Sequence, residues 1–232
     1  MIEPRIVPLP RRQFLGQVLT GVIAGAAVAG LEGVLPRGLG AQSPLTPDEA
    51  LRQLMAGNDR FARDQLTSLE QDLRILKEDT VEKQEPFAAV LACADSRVPV
   101  ELVFDQTIGH LFVTRVAGNI VTPEIIASLE YAVAVLGIKV LLVLGHTNCG
   151  AVKATAKADA VPGQISALYQ HLQPAVAASG GDLGKAIAVN AAMQANLLRT
   201  SSTVVREALR TAKIRVESGV YDLASGRVTL TA

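Results

Sequence analysis

A chain of 232 residues with a hydrophobic share of 49% is long enough for one ordinary α/β domain plus appendages, and it can bury a sizeable core. Its 22 basic residues balance 22 acidic ones and it holds no Trp, so it offers neither a basic stripe for phosphates nor a base-stacking platform, which argues against nucleic-acid binding. Two cysteines leave no room for a disulfide framework, although they suffice for one bridge or for two metal ligands.

Residues 1–41 read as an address. Arg11-Arg12 is followed by Gln13-Phe14-Leu15, then by a mildly apolar run from Leu15 to Leu31 that is rich in glycine and alanine. That run is short and soft for a transmembrane span, which wants about 20 strongly apolar residues. The segment resembles a twin-arginine export signal, with Arg37 beyond the apolar run and Leu39-Gly40-Ala41 as the cleavage site. The resemblance implies a bacterial protein exported to the periplasm, its mature domain spanning 42–232. An uncleaved anchor is the alternative. The route carries folded cargo, so a metal held by thiolates would be loaded in a reducing cytoplasm first.

Thr46-Pro47-Asp48-Glu49 combines a cap, a proline at the first helical position and a glutamate three residues after the cap, a strong helix start. Leu51, Leu54, Met55, Asn58 and Phe61 follow at helical spacing, and a second, charged amphipathic stretch runs from Leu69 to Glu82. These helices have little to pack on locally and are expected to embrace a partner subunit. The apolar run Phe87 to Cys93 suits a strand buried on both faces, as do 111–116 and 139–144. A helix from Thr122 to Leu136, ended by Gly137, separates the second strand from the third. Helices are expected over 150–158, 164–178, 183–200 and 203–212, then a hairpin from 214–221 through Ser225-Gly226 to 227–230. Strands alternating with helices predict an α/β fold. Its mostly parallel sheet has about four strands plus a C-terminal antiparallel one, flanked by helices.

Both cysteines fall where a buried strand ends. Cys93 closes the first, and Gly145-His146-Thr147-Asn148-Cys149-Gly150 follows the third. Sites in open parallel sheets form beyond the carboxyl ends of the strands, so Cys93, His146 and Cys149 can converge. Two thiolates and an imidazole suit zinc. Cys149 is expected at the start of the next helix, where the positive helix end favours a thiolate, with Gly145 and Gly150 letting the backbone bend around the metal. A Cys93–Cys149 disulfide and two inert buried thiols are the alternatives.

Cys93-Ala94-Asp95-Ser96-Arg97-Val98 and His146-Thr147-Asn148-Cys149-Gly150 resemble the paired signature of the β-class carbonic anhydrases. The resemblance extends through Leu111-Phe112-Val113, Arg115-Val116-Ala117-Gly118-Asn119, Ser128-Leu129-Glu130-Tyr131 and Tyr221-Asp222-Leu223, covering roughly residues 46–230. It implies one zinc per chain on Cys93, His146 and Cys149, reversible hydration of CO2 to bicarbonate by zinc-bound hydroxide, and a homodimer or homotetramer. It makes Asp95 and Arg97 the charged catalytic pair, with Asp95 the alternative fourth ligand in a closed state. It gives Gln84, Phe112, Tyr131 and Gly150 to the substrate, Gln84 often reaching across a subunit boundary. One departure is His110, where many relatives carry Asp; it reads either as a proton relay or as a solvated loop residue. Two other functions share the pattern. One is a carbonyl sulfide or carbon disulfide hydrolase, the other a non-catalytic structural-zinc or bicarbonate-sensing module.

Overall fold

The computed structural model describes residues 43–71 and 73–231, and the expected export signal lies outside them. The capping signature at Thr46 opens helix α1 (Pro47–Phe61) as the sequence requires. The Glu49 N–H donates to Thr46 Oγ1 at 3.3 Å, and the Thr46 N–H donates back to the Glu49 carboxylate at 2.8 Å. Ala50, Leu51 and Leu54 bury one stripe of α1. Near its end the buried Asn58 donates from Nδ2 to Val103 O (3.1 Å) and Gly226 O (2.9 Å), and accepts from the Val228 N–H (2.8 Å). Gly57 permits this approach, because a Cβ there would lie 1.9 Å from Phe104 O.

The charged stretch 69–82 is shorter in the structure than its pattern predicts. A 3-10 turn, Ser68–Glu70, precedes helix α2 (Leu73–Thr80), which buries none of its residues. The buried Asp105 holds that turn, accepting from the Thr67 and Ser68 N–H groups and from Arg60 Nε.

Strands β1 (Ala88–Ala92), β2 (Leu111–Arg115), β3 (Val140–His146), β4 (Arg215–Tyr221) and β5 (Val228–Leu230) form one sheet, ordered β2-β1-β3-β4-β5. All pairs are parallel except β4–β5, so the expected mostly parallel sheet with a closing antiparallel strand is what forms. β1 and β3 are buried along their whole length, which is why both read as unbroken apolar runs.

Alternation along the strands sends side chains into two cores. Ala88, Val90, Leu142 and Leu144 pack with α1 and the short helix α3 (Val100–Val103) on one face. Ala89, Leu91, Leu141 and Val143 pack on the other face with α4 (Pro123–Ala134), α7 (Leu183–Ser201) and α8 (Thr203–Arg210). Helices α5 (Gly150–Lys157) and α6 (Tyr169–Ser179) extend this second face around the carboxyl ends of the strands. The expected helix 164–178 divides there into a 3-10 turn, Ile165–Leu168, and α6.

β1 lies between β2 and β3, with Ala92 level with Arg115 on one side and Leu144 on the other. The chain leaves β1 for β2 and returns across to β3, so the carboxyl end of β1 is the point where crossovers diverge.

Candidate metal centre

Cys93 is the first residue past the end of β1, His146 the last of β3, and Cys149 the N-cap of α5. Their ligand atoms all lie within 4.8 Å of one another, and all three residues are buried. Both cysteines are free thiols, so the disulfide alternative is not what forms.

The turn that brings Cys149 back to His146 is made by Asn148, which adopts φ 56°, a left-handed conformation that asparagine tolerates better than most residues. This corrects the expectation that Gly145 and Gly150 supply the bend. Neither has a positive φ. Gly145 is strand, and what it provides is room for α7, since a Cβ there would meet Ile187 Cγ2 at 3.2 Å. Gly150 is exposed, and a Cβ there would have no neighbour within 4 Å.

The imidazole is set for a metal. His146 Nδ1 lies 3.0 Å from Thr147 O, which can only accept, so Nδ1 carries the proton and Nε2 presents its lone pair. That Nε2 is buried with no hydrogen-bond partner. A buried polar atom left unmet costs on the order of 1–3 kcal/mol, so a ligand there is physically called for. Two soft sulfurs beside one imidazole nitrogen fit zinc, a borderline-soft ion.

Cys93 Sγ accepts the Gly118 N–H at 3.3 Å. Its pKa is pulled down, first by Cys149 donating to it and, against desolvation, by the Gly118 N–H. Cys149 is pushed up, first by the neighbouring Cys93 and then by burial, against the N–H groups of Val152 and Ala151 at the start of α5.

Asp95 stands beside the cluster and is firmly occupied. Arg97 donates to it from Nε (2.9 Å to Oδ1) and Nη2 (2.7 Å to Oδ2), and the Arg97 N–H adds a third bond at 2.9 Å. The Arg97 guanidinium holds the Asp95 carboxyl well below the usual carboxylate range. Asp95 Oδ2 is 3.7 Å from His146 Nε2. Arg115 supports the same loop from β2, donating from Nε to Cys93 O at 3.0 Å and from Nη2 to Asp95 O. Neither Arg115 nor Gly118 was singled out by residue type. Their signal was only membership of the 115–119 stretch.

Within one chain the structure does not bring every expected site residue to this cluster. Gln84 is exposed and lines a depression of about 370 Å³ together with Tyr131, Thr80, Val81 and Val135. Phe112 packs on Tyr131, ring centroids 6.3 Å apart. Phe112 pairs with Ala89, four residues before Cys93, which places it about 13 Å back along the strands. His110 stands at the start of β2, the end of the sheet away from Cys93, and is exposed beside Thr107. Its place there agrees with the loop reading and not with a relay inside its own chain.

An open α/β sheet whose strand ends converge two thiols and an imidazole offers a site that could hold a soft or borderline metal. A family model described as carbonic anhydrase matches residues 88–228, more than half of the chain. The carbonic anhydrase of Mycolicibacterium smegmatis is 34% identical over 194 residues, covering 79% of this chain and 93% of that protein. That of Pseudomonas aeruginosa is 35% identical over 195 residues, covering 77% and 86%. Among solved structures, the β-carbonic anhydrase CcaA aligns with a TM-score of 0.62 at 26% identity, covering 78% of this chain and 87% of that one. The Coccomyxa β-carbonic anhydrase in complex with acetazolamide aligns at 0.61 and 26%, covering 78% and 85%. The chain belongs to the β-class carbonic anhydrase family and is an enzyme of that lyase kind.

Proposed function

We propose that this chain hydrates CO2 reversibly to bicarbonate and a proton, using one zinc held by Cys93, His146 and Cys149. The observation that carries the reading is the Asp95–Arg97 pair. With both its oxygens bound by Arg97, Asp95 is drawn away from service as a fourth ligand, so the protein offers three donors, as catalytic zinc sites do. Zinc so held supplies a water whose pKa falls to about 7 and polarises a substrate oxygen. Asp95 Oδ2, the carboxylate oxygen nearest His146 Nε2, accepts the hydrogen bond that orients the nucleophile. Arg97 keeps Asp95 ionised and aimed. Cys93 and Cys149 are buried, as is the whole of His146, and they shield the centre from bulk water. The test is metal dependence. CO2 hydration should leave with zinc on chelation and return with one equivalent per chain, and undiminished activity in the stripped protein would contradict the proposal.

The protein is proposed to work as a homodimer or homotetramer, with Gln84, Phe112 and Tyr131 serving the centre of a partner subunit. The support is that these three sit together and apart from their own chain's cluster, beside an exposed apolar surface. Leu73, Ile75, Val81, Tyr131 and Val135 are all well exposed, and α2 buries nothing. Sedimentation should therefore give at least a dimer at micromolar concentration, and a fully active monomer would refute it.

Residues 1–41 are proposed to direct export to the periplasm by the twin-arginine route, supported by Arg11-Arg12 and the soft apolar run after it. No helix among the described residues is long and apolar enough to cross a membrane. Changing Arg11 and Arg12 together to Lys should trap the precursor in the cytoplasm, and undiminished export on fractionation would refute that route.

A further inference from the structure

Helix α7 buries two amides that the chemistry above does not use. Asn190 is 1% exposed and Gln194 5%. They lie one helical turn apart, on a face where an aliphatic pair would bury more apolar surface at no polar cost. What they supply instead is hydrogen bonding to the irregular segment after β2. Asn190 Nδ2 donates to Gly118 O at 2.9 Å, and Gln194 Oε1 accepts the Val121 N–H at 2.8 Å. Gln194 Nε2 donates to Asn190 Oδ1 at 3.2 Å and to His171 O at 3.3 Å. Gln194 therefore orients Asn190, and Asn190 holds Gly118.

Gly118 is the residue whose N–H reaches Cys93 Sγ. It sits in a 3-10 turn (Ala117–Asn119) at φ 77°, and a Cβ there would lie 3.0 Å from Leu172 Cδ2. The turn's entry is fixed by Val116, which pairs with β1 through Ala92 O and the Ala94 N–H and accepts the Asn119 N–H at 2.9 Å. The left-handed Gly118 peptide groups themselves point away from that ladder, to Cys93 and Asn190. Gly118 is held at one side by the sulfur and at the other by Asn190.

We propose that Asn190, oriented by Gln194, is a positioning residue for the metal centre. By anchoring the Gly118 carbonyl it keeps the Gly118 N–H on the Cys93 sulfur, which fixes that ligand in place and withdraws electron density from it. The proposal rests on the reading of Cys93 as a metal ligand, and extends the centre inward to α7. Partners that orient a ligand in this way typically govern metal affinity by about 10–100-fold.

Cobalt substitution reads both effects without recourse to turnover. The purified full chain is loaded with Co2+, its affinity measured by competition with a chelator, and the sulfur-to-cobalt charge-transfer absorption recorded. Asn190→Leu keeps the branching and heavy-atom count of the side chain and removes the donor. It should weaken cobalt binding by about tenfold or more, and move the band to longer wavelength because a sulfur without its N–H gives up electrons more readily. Asn190→Ser should move both readings the same way, and carries the test if the leucine variant does not fold. The control is Asn58→Leu, which leaves three backbone groups unpaired on the opposite face of the sheet. It should lower Tm yet leave both cobalt readings at wild-type values. A folded Asn190 variant with affinity within about twofold of wild type and an unmoved band would overturn the proposal, as would equal shifts in Asn58→Leu. No charge-transfer band in the wild-type chain would overturn the metal-ligand reading beneath it.

Discussion

Asp95→Asn is expected to leave zinc in place and to lower CO2 hydration by about 10²–10³-fold, the range seen when one preorganised polar partner is removed from an active site. The carboxylate meets two demands at once. Both its oxygens accept from Arg97, and Oδ2 also faces the ligand cluster, 3.7 Å from His146 Nε2. An amide cannot meet both, since its NH2 must either oppose the guanidinium or turn toward the site as a donor where an acceptor is needed. Zinc should persist because its three donors are untouched. Were Asp95 a permanent fourth ligand, the same change would weaken zinc retention, and the wild-type chain would be inactive at every pH.

The depressed pKa of Asp95 adds a pH expectation. Its folded value lies below its ordinary one, so the stability gained from the pair with Arg97 is fully present above the ordinary value and is lost only as pH falls through the acid range. A rate that changes between about pH 6.5 and 9 therefore does not report protonation of Asp95, and on the proposed mechanism would belong to the water that a bound zinc acidifies to about 7.

The second large effect concerns the ligands themselves. Cys93→Ser, Cys149→Ser and His146→Ala should each reduce zinc well below one equivalent and abolish activity with it, because hydroxyl and methyl groups cannot replace a soft or borderline donor. Linkage gives an independent reading. Zinc at about 1,000 times its Kd stabilises a folded chain by about 4 kcal/mol, so added zinc should raise Tm in wild type and not in the three variants. Zinc retained at one equivalent in all three would show the assignment to be mistaken.

Much of this architecture was legible in the residues. β1 and β3 announce themselves as apolar runs because both faces of each strand are covered, and Thr46 with Glu49 fixes the start of α1 through two local hydrogen bonds. Cys93, His146 and Cys149 were legible because strand ends converge at a crossover point, whatever the intervening sequence does. The bend at Asn148 was assigned to its glycine neighbours instead, since glycine is the commoner carrier of a left-handed turn and nothing local marks the asparagine. α3 escaped notice because four residues give no period to detect. Asn190 and Gln194 look like ordinary polar positions in a helix, and their role depends on contacts to Gly118 and Val121, about 70 residues earlier in the chain. The separation of Gln84, Phe112 and Tyr131 from the cluster depends on strand register, which a motif does not carry.

The most direct test of the central claim is stopped-flow hydration of CO2 by the zinc-loaded wild-type protein, followed with a pH indicator above about pH 8, where the acidified water is ionised. Zinc content and the turnover of carbonyl sulfide and carbon disulfide are measured on the same preparation. The account predicts rapid CO2 hydration in proportion to bound zinc. One equivalent of zinc with hydration no faster than buffer, or turnover of the sulfur substrates without that of CO2, would contradict it.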